Sequence, residues 1–161
     1  MFRTLALAAA LAVPAAAMAA PPTSPTTYVM KAGASDLYEI TSSRLVMTSR
    51  NPRVREFAQQ MVHDHTQSTA EVKAAAMRAH MHPAPPHMNA MQARMVSQLR
   101  RASGPARDRL YIQQQKQAHD MALDLHSSYA RQGSVPSLKM TAGKIAPVVR
   151  SHIDMLRSMS V

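Results

Sequence analysis

Four polar residues on four different predicted helices have side chains that could bind one transition metal ion. They are three histidines and a glutamate, namely His65, His119, His152 and Glu39. A set of three imidazoles and at most one carboxylate suits zinc, copper or iron better than magnesium or calcium. The same set is too small for two ions. The sequence therefore raises the hypothesis of a single metal held between helices, and leaves open the alternative that these histidines are hydrogen-bonded core residues without a metal.

The spacing of apolar residues places the histidines on or beside the inner faces of their helices. Phe57, Met61, His65 and Val72 fall on one helical face, because they are spaced four, eight and fifteen residues from Phe57. The predicted inner faces near the other two histidines are Tyr111, Gln115, Ala118, Ala122, Leu125 and Tyr129 for His119, and Ile145, Val148, Met155 and Met159 for His152. Burying an unpaired polar group costs about 2–7 kcal/mol. Each histidine therefore needs a partner, and a shared metal would supply one.

The sequence pattern around Glu39 is consistent with two different positions for its side chain. Ala32, Ser43 and Val46 line up with it on one helical face, which allows Glu39 to face a neighbouring helix. Leucines at positions 37 and 45 define a different face of the same helix. The pattern is equally consistent with a solvated glutamate.

A second group of possible metal ligands lies in a proline-rich connection. It consists of His80, Met81, His82, His87 and Met88. Thioether and imidazole groups together suit Cu(I), so this segment is a secondary candidate for copper. The alternative is that Met88 and the methionines that follow it fill the end of the core, since methionine fits irregular gaps, while the histidines are solvated.

The elements that must position these residues are four long amphipathic helices. Helical periodicity, caps and prolines predict helices over residues 27–49, 52–79, 106–131 and 136–159, with a short extra helix between the second and the third. No segment has the pattern of a strand. The predicted fold class is all-α, an antiparallel four-helix bundle, in which inward-facing polar side chains from several helices can build a metal site.

The first twenty residues have the organisation of a secretory signal peptide. Arg3 gives a positive start, residues 5–13 are apolar but too few to span a bilayer, and Ala17-Met18-Ala19 fits a cleavage site. We expect a signal peptide at residues 1–20, a linker at 21–26, and one domain at 27–160. Export from a bacterial cell then predicts a periplasmic protein.

Composition narrows the class of function. The chain has no cysteine, four glycines, and 19 lysines and arginines against 9 acids. No serine elbow or phosphate-binding glycine loop is present, which favours a binding protein over an enzyme, with an oxidase at the same site left open. The basic residues are spread along the sequence. Together with export this argues against nucleic acid and predicts a weak association with anionic envelope surfaces, no transmembrane segment and an unspecified protein partner.

Four segments of the chain resemble a known bacterial family. Residues 35–46, 51–66, 108–123 and 144–152 are similar to the family called domain of unknown function 4142, notably in the Asp64-His65 pair, His119 and His152. The resemblance covers about residues 27–158. It implies an exported, ferritin-like four-helix bundle, with Glu39, His65, His119 and His152 at matched positions. It implies no reaction.

Ferritin chemistry is disfavoured by the residues that precede the histidines. Di-iron bundles carry a glutamate three residues before each ligating histidine, whereas this chain has Val62, Lys116 and Val149 there. The leading hypothesis is therefore a non-enzymatic exported bundle that binds one transition metal, with a role in stress protection. A purely structural or protein-interaction bundle is the alternative.

Overall fold

Five α-helices form the protein in a computed structural model that describes residues 22–159. They are α1 (Pro25–Arg44), α2 (Pro52–Arg78), α3 (Ala90–Arg101), α4 (Gly104–Gln132) and α5 (Pro136–Ser158). Residues 22–159 contain no strand, so the predicted all-helical class is confirmed. The predicted signal peptide at 1–20, the first linker residue at position 21 and the domain end at position 160 lie outside the described residues.

Side-chain caps fix where the helices begin. The side chain of Asn51 accepts a hydrogen bond from the Arg53 amide at 3.0 Å, with Pro52 in the first turn. Asn89 and Gln92 form a reciprocal capping box at the start of α3. A helix as short as α3 is marginal in isolation, so this cap and the packing of α3 on α1 and α4 account for its stability.

The first helix ends earlier than its periodicity predicts. The periodicity predicts a helix over 27–49, but the helix starts at Pro25, inside the predicted linker, and ends at Arg44. The amides of Leu45 and Val46 turn back to the carbonyls of Ser42 and Ser43, which closes the last turn tightly. Arg107 then donates to the Leu45 carbonyl at 3.1 Å. A guanidinium from α4 therefore satisfies a carbonyl that a longer helix would have bonded internally.

The four long helices each pack against two others. α1 contacts α2 and α4, and α5 contacts α2 and α4. One apolar cluster is built around Tyr28, Tyr129 and Leu138, and a second around Phe57, Tyr111 and Leu156. Among the helices of the described chain, none has the length and apolar character needed to cross a bilayer.

The inner face of α5 differs from the predicted one. Val148 is 43% exposed, and Val149 is buried in its place. The buried positions Ile145, Val149, His152 and Leu156 follow the three-to-four spacing of a helical face. His152 is common to the predicted and the observed face, so the correction leaves its position unchanged.

Candidate metal centre

Three of the four predicted ligands meet in the interior. His65 from α2, His119 from α4 and His152 from α5 are each less than 5% exposed. One ring nitrogen from each histidine lies within 4.8 Å of the corresponding atoms of the other two. The ring centroids are separated by 5.3 to 5.6 Å. The three imidazoles therefore surround a common point.

The outer nitrogen of each ring is held by an oxygen acceptor. Nδ1 of His65 lies 2.8 Å from Oδ1 of Asp36, and Nε2 of His152 lies 2.9 Å from Oδ2 of Asp64. Nδ1 of His119 lies 3.0 Å from the backbone carbonyl oxygen of Gln115. Carboxylates and carbonyls can only accept, so each outer nitrogen is the N–H donor. Histidines that bind a metal usually donate their other ring N–H to an oxygen acceptor in the same way.

The inner nitrogens are consequently left with lone pairs. Nε2 of His119 and Nδ1 of His152 lie 3.3 Å apart, and in neutral rings whose other nitrogen donates, neither carries a proton. Two lone pairs at this distance repel unless a cation or proton lies between them. The separation matches that of two nitrogens bound to one metal with bonds of about 2.0–2.1 Å.

His65 contributes the third inner nitrogen. Its Nε2 is buried and has no hydrogen-bond partner. Burial alone would lower the pKa of His65, but the hydrogen bond and charge of Asp36, with nearby Glu39 and Asp64, raise that pKa above its ordinary value. A proton or a metal ion at Nε2 would satisfy this position, so the two compete for it.

The other two imidazoles stay neutral. Burial, followed by the charges of His65 and His152, lowers the pKa of His119 to about 3. Burial also lowers the pKa of His152, against the opposing effect of Asp64. Neutral imidazole is the form that binds metal. Two of the three ligands are thus ready to bind at neutral pH.

The ring of Phe57 lies beside the rings of His119 and His152. Its ring centroid lies 6.3 Å from that of His119 and 6.5 Å from that of His152, and the residue is 4% exposed. An apolar wall restricts water at the three nitrogens, which strengthens electrostatic interactions there.

Glu39, the fourth predicted ligand, is fully buried but lies outside the group of converging nitrogens. Its Oε1 is 3.6 Å from Nδ1 of His119, the nitrogen that faces away from the other two rings. Neither carboxylate oxygen has a hydrogen-bond partner, and burial raises the pKa of Glu39 to about 7. The structure thus places Glu39 behind His119, and ligation by any of the four residues stays a prediction.

Sequence reasoning missed Asp36 and treated Asp64 only as a neighbour of His65. Asp36 is 1% exposed and also accepts from the Thr69 hydroxyl at 3.0 Å. It lies three residues before Glu39 on α1, so a search for acids on the Glu39 face could have found it. Oδ2 of Asp64 accepts a hydrogen bond from His152 on α5, and its Oδ1 lies 2.8 Å from Nδ1 of the preceding residue, His63. Hydrogen bonds from His63 and His152 outweigh burial and lower the pKa of Asp64.

His126 is a further buried histidine that the sequence analysis did not single out. It lies seven residues after His119 on α4, and its Nδ1 is 3.0 Å from the hydroxyl oxygen of Tyr28. Burial lowers the pKa of His126 to about 4. It has a protein partner and does not belong to the three-histidine group, which makes it a useful control.

The secondary group is not brought together in the same way. His80, His82 and His87 are exposed, whereas Met81 and Met88 are partly buried and pack against two different apolar clusters. Within residues 22–159, the loop histidines form no group like the one in the core. Pro86 of the loop packs closely against Gly33 of α1. A Cβ atom added at Gly33 would lie 3.1 Å from Cγ of Pro86.

Three solved structures have the same fold as this chain over most of their length. CopM in the Cu(II)-bound form aligns with a TM-score of 0.71 at 15% identity, covering 86% of this chain and 96% of CopM. The Cu(I)-bound form of CopM gives 0.71 at 17% identity over 84% and 94%. A DUF305 fragment from Deinococcus radiodurans gives 0.72 at 16% identity over 86% and 97%. Identities this low show the fold alone.

A comparison with models of protein families gives the family. No curated protein matches the chain. The family described as domain of unknown function (DUF4142) matches residues 9–159, which confirms the resemblance seen in the sequence. The chain belongs to the DUF4142 family.

Proposed function

We propose that this protein is an exported, non-enzymatic helical bundle that binds one transition metal through His65, His119 and His152. The observation that carries the proposal is the pair of facing lone pairs on His119 and His152, 3.3 Å apart, beside the unpartnered Nε2 of His65. A core that only needed satisfied histidines would pair a donor with an acceptor at that contact. A cation is the group that three inward lone pairs accommodate.

Copper is the metal we favour among zinc, copper and iron. Three neutral nitrogen donors bind Cu(II) more tightly than the other divalent ions of the first transition series. The similar solved structures include CopM with Cu(II) and with Cu(I). We propose copper sequestration in the periplasm, as protection against metal stress, as the role of this site.

The architecture we propose is an antiparallel, ferritin-like four-helix bundle with α3 as an addition. The ring of contacts among the four long helices supports it. So does the short connection of three residues between α4 and α5, since short connections join antiparallel neighbours. The three histidines come from three of these four helices, as core metal sites in bundles do.

Thermal unfolding with and without metal tests the proposal. A ligand that binds only the folded protein raises the free energy of unfolding by about 2.7 kcal/mol at a hundredfold excess over its Kd. We expect Cu(II) to raise the Tm of the wild type and of the His126→Gln control, and to leave the Tm of His65→Gln unchanged. The control removes a buried histidine that lies outside the site.

The same measurement distinguishes the structural alternative. If Cu(II), Zn(II) and Fe(II) all leave the wild-type Tm unchanged, and untagged protein from the periplasm carries no metal, the histidines are structural and the proposal is wrong. If zinc or iron alone raises the Tm, the site stands and the choice of copper is wrong.

A second candidate function is the handling of Cu(I) by the methionine- and histidine-rich connection. A cleft of about 720 Å³ is lined by Met81, His82 and His87 of the connection and by Met30 of α1. Thioether and imidazole groups around one open cleft suit Cu(I). In this proposal the connection binds Cu(I) at the surface, independently of the core histidines.

A further inference from the structure

The helix ends nearest the connection between α1 and α2 lie close together. The Ser49 hydroxyl donates to Asp108 at the start of α4 at 2.6 Å. Arg53 at the start of α2 donates to the carbonyl of Ser158 at the end of α5 at 3.4 Å. α3 ends at Arg101, and two residues separate it from the start of α4. The starts of α2 and α4 and the ends of α1, α3 and α5 therefore lie at one end of the molecule.

This end is rich in arginine. Nine arginines lie on these helix termini and their connections, which we call the arginine end: Arg44, Arg50, Arg53, Arg55, Arg100, Arg101, Arg107, Arg109 and Arg157. Its acids are Glu56, Asp108 and Asp154. Asp108 is buried, and Asp154 pairs with Arg157. The fold therefore brings these nine arginines, which are spread from position 44 to position 157 of the sequence, to one end of the molecule.

The five lysines of the chain all lie elsewhere, at positions 31, 73, 116, 139 and 144. This separation matters because guanidinium groups form two parallel hydrogen bonds with a phosphate, whereas an ammonium acts as a point charge. A cleft of about 520 Å³ at this end is lined by Arg50, Arg107 and Arg109. The arginine end is therefore suited to phosphate groups.

Buried aromatic residues argue against a single-stranded nucleic-acid partner. Proteins that bind single strands stack bases on exposed aromatic rings, but every aromatic residue among residues 22–159 is buried. An array of lipid headgroups needs only a positive surface of matching extent. We propose that the arginine end docks the protein onto a membrane surface through the phosphate groups of anionic phospholipids.

Binding to lipid vesicles tests this proposal with matched charge changes. One variant combines Arg50→Gln, Arg100→Gln and Arg109→Gln, three exposed arginines. The control combines Lys73→Gln, Lys139→Gln and Lys144→Gln, three exposed lysines. Lys139 lies 18 residues before Arg157 on α5, about 27 Å along the helix, well beyond the Debye length of about 8 Å at physiological salt. All three proteins are purified from the periplasm, so that they share the same exported form of the chain.

We expect the wild type to bind phosphatidylglycerol vesicles and not phosphatidylcholine vesicles. The arginine variant should bind roughly a hundredfold more weakly, since each basic residue near an anionic membrane contributes about fivefold. The lysine control should bind nearly as well as the wild type. Equal losses in the two variants, or equal binding to both lipids, would overturn the proposal.

Two competition experiments separate the membrane from other phosphates. Inorganic phosphate at constant ionic strength should not displace the protein from vesicles, because one phosphate cannot replace a surface of headgroups. Displacement by millimolar phosphate would assign the cleft to a single small anion instead. Duplex DNA that binds more tightly than vesicles, with the same loss in the arginine variant, would assign the surface to nucleic acid.

Discussion

His65 is 4% exposed and holds its Nδ1 against a buried aspartate, whereas His82 lies exposed on a proline-rich connection. Both residues belong to histidine groups that the sequence marks as possible metal sites. In the core, helices of fixed register bring three rings together, and oxygen acceptors set the orientation of each ring. In the connection, the histidines are exposed and do not converge.

The difference shows that the orientation of the rings separates the two groups of histidines. Fixing a side chain before the metal arrives removes part of the entropy cost of binding. The core rings are already fixed by their outer hydrogen bonds, while the loop histidines would have to be ordered by the metal. We therefore expect the core to bind a divalent metal more tightly than the connection does.

The largest effect should come from removing the core ligands. We expect the combination of His65→Gln, His119→Gln and His152→Gln to abolish tight Cu(II) binding, a loss of more than hundredfold measured by competition with a chelator. Changing an outer-shell partner of a ligand costs about 10–100-fold, and losing the ligands themselves should cost more.

The loop variant supplies the comparison for this experiment. His80→Ala, His82→Ala and His87→Ala in one chain remove the same number of histidines and should leave Cu(II) affinity nearly unchanged. If the loop variant loses Cu(II) as completely as the core variant does, the preference for the core is wrong.

The next effect concerns the carboxylate that orients His65. We expect Asp36→Asn to weaken Cu(II) binding by about 10–100-fold, because the amide no longer imposes an N–H at Nδ1 of His65. The same change at Asp64, whose side chain is 21% exposed, should weaken binding less, since water can replace its hydrogen bond to His152. Equal losses at the two positions would show that burial of the outer acceptor does not matter.

The fold could be predicted from the sequence further than the site could. Apolar spacing and the Asn51-Pro52 boundary located the long helices, because these signals are local. The end of α1 was missed, since Arg107 on another helix satisfies its carbonyl. For the same reason periodicity placed His65 on an inner face but could not supply Asp36, which reaches it from α1. The relative orientation of two rings on different helices depends on packing that no local pattern encodes.

The pH dependence of binding should reflect one histidine rather than three. His65 has a raised pKa, so in the metal-free protein its Nε2 becomes protonated as the pH falls through that value. The pKa values of His119 and His152 are lowered, so these rings stay available. We expect the apparent Cu(II) affinity to fall about tenfold for each pH unit below the pKa of His65, with one proton released per metal.

Isothermal titration in buffers of different ionisation enthalpy counts these protons. Asp36→Asn removes the main group that raises the pKa of His65, so the fall in affinity should begin at a lower pH in that variant. A loss of three protons per metal, or an unchanged onset in Asp36→Asn, would contradict the assignment of His65 as the titrating ligand.

The smallest effect on stability should come from the connection itself. His80, His82 and His87 are exposed, and surface changes away from special contacts alter the free energy of unfolding by about 0.5 kcal/mol or less. The triple alanine variant should therefore unfold at nearly the wild-type Tm.

If the connection handles Cu(I), the same variant should bind Cu(I) more weakly in a competition with a Cu(I)-specific chelator, because it has lost every imidazole of the segment. Met81→Leu and Met88→Leu, which keep the apolar volume but remove the sulfur, then separate ligation from packing. A further loss of Cu(I) at constant Tm would indicate thioether ligation. Unchanged Cu(I) binding in both variants would mean that Met81 and Met88 only cover the core, and that the connection has no part in copper handling.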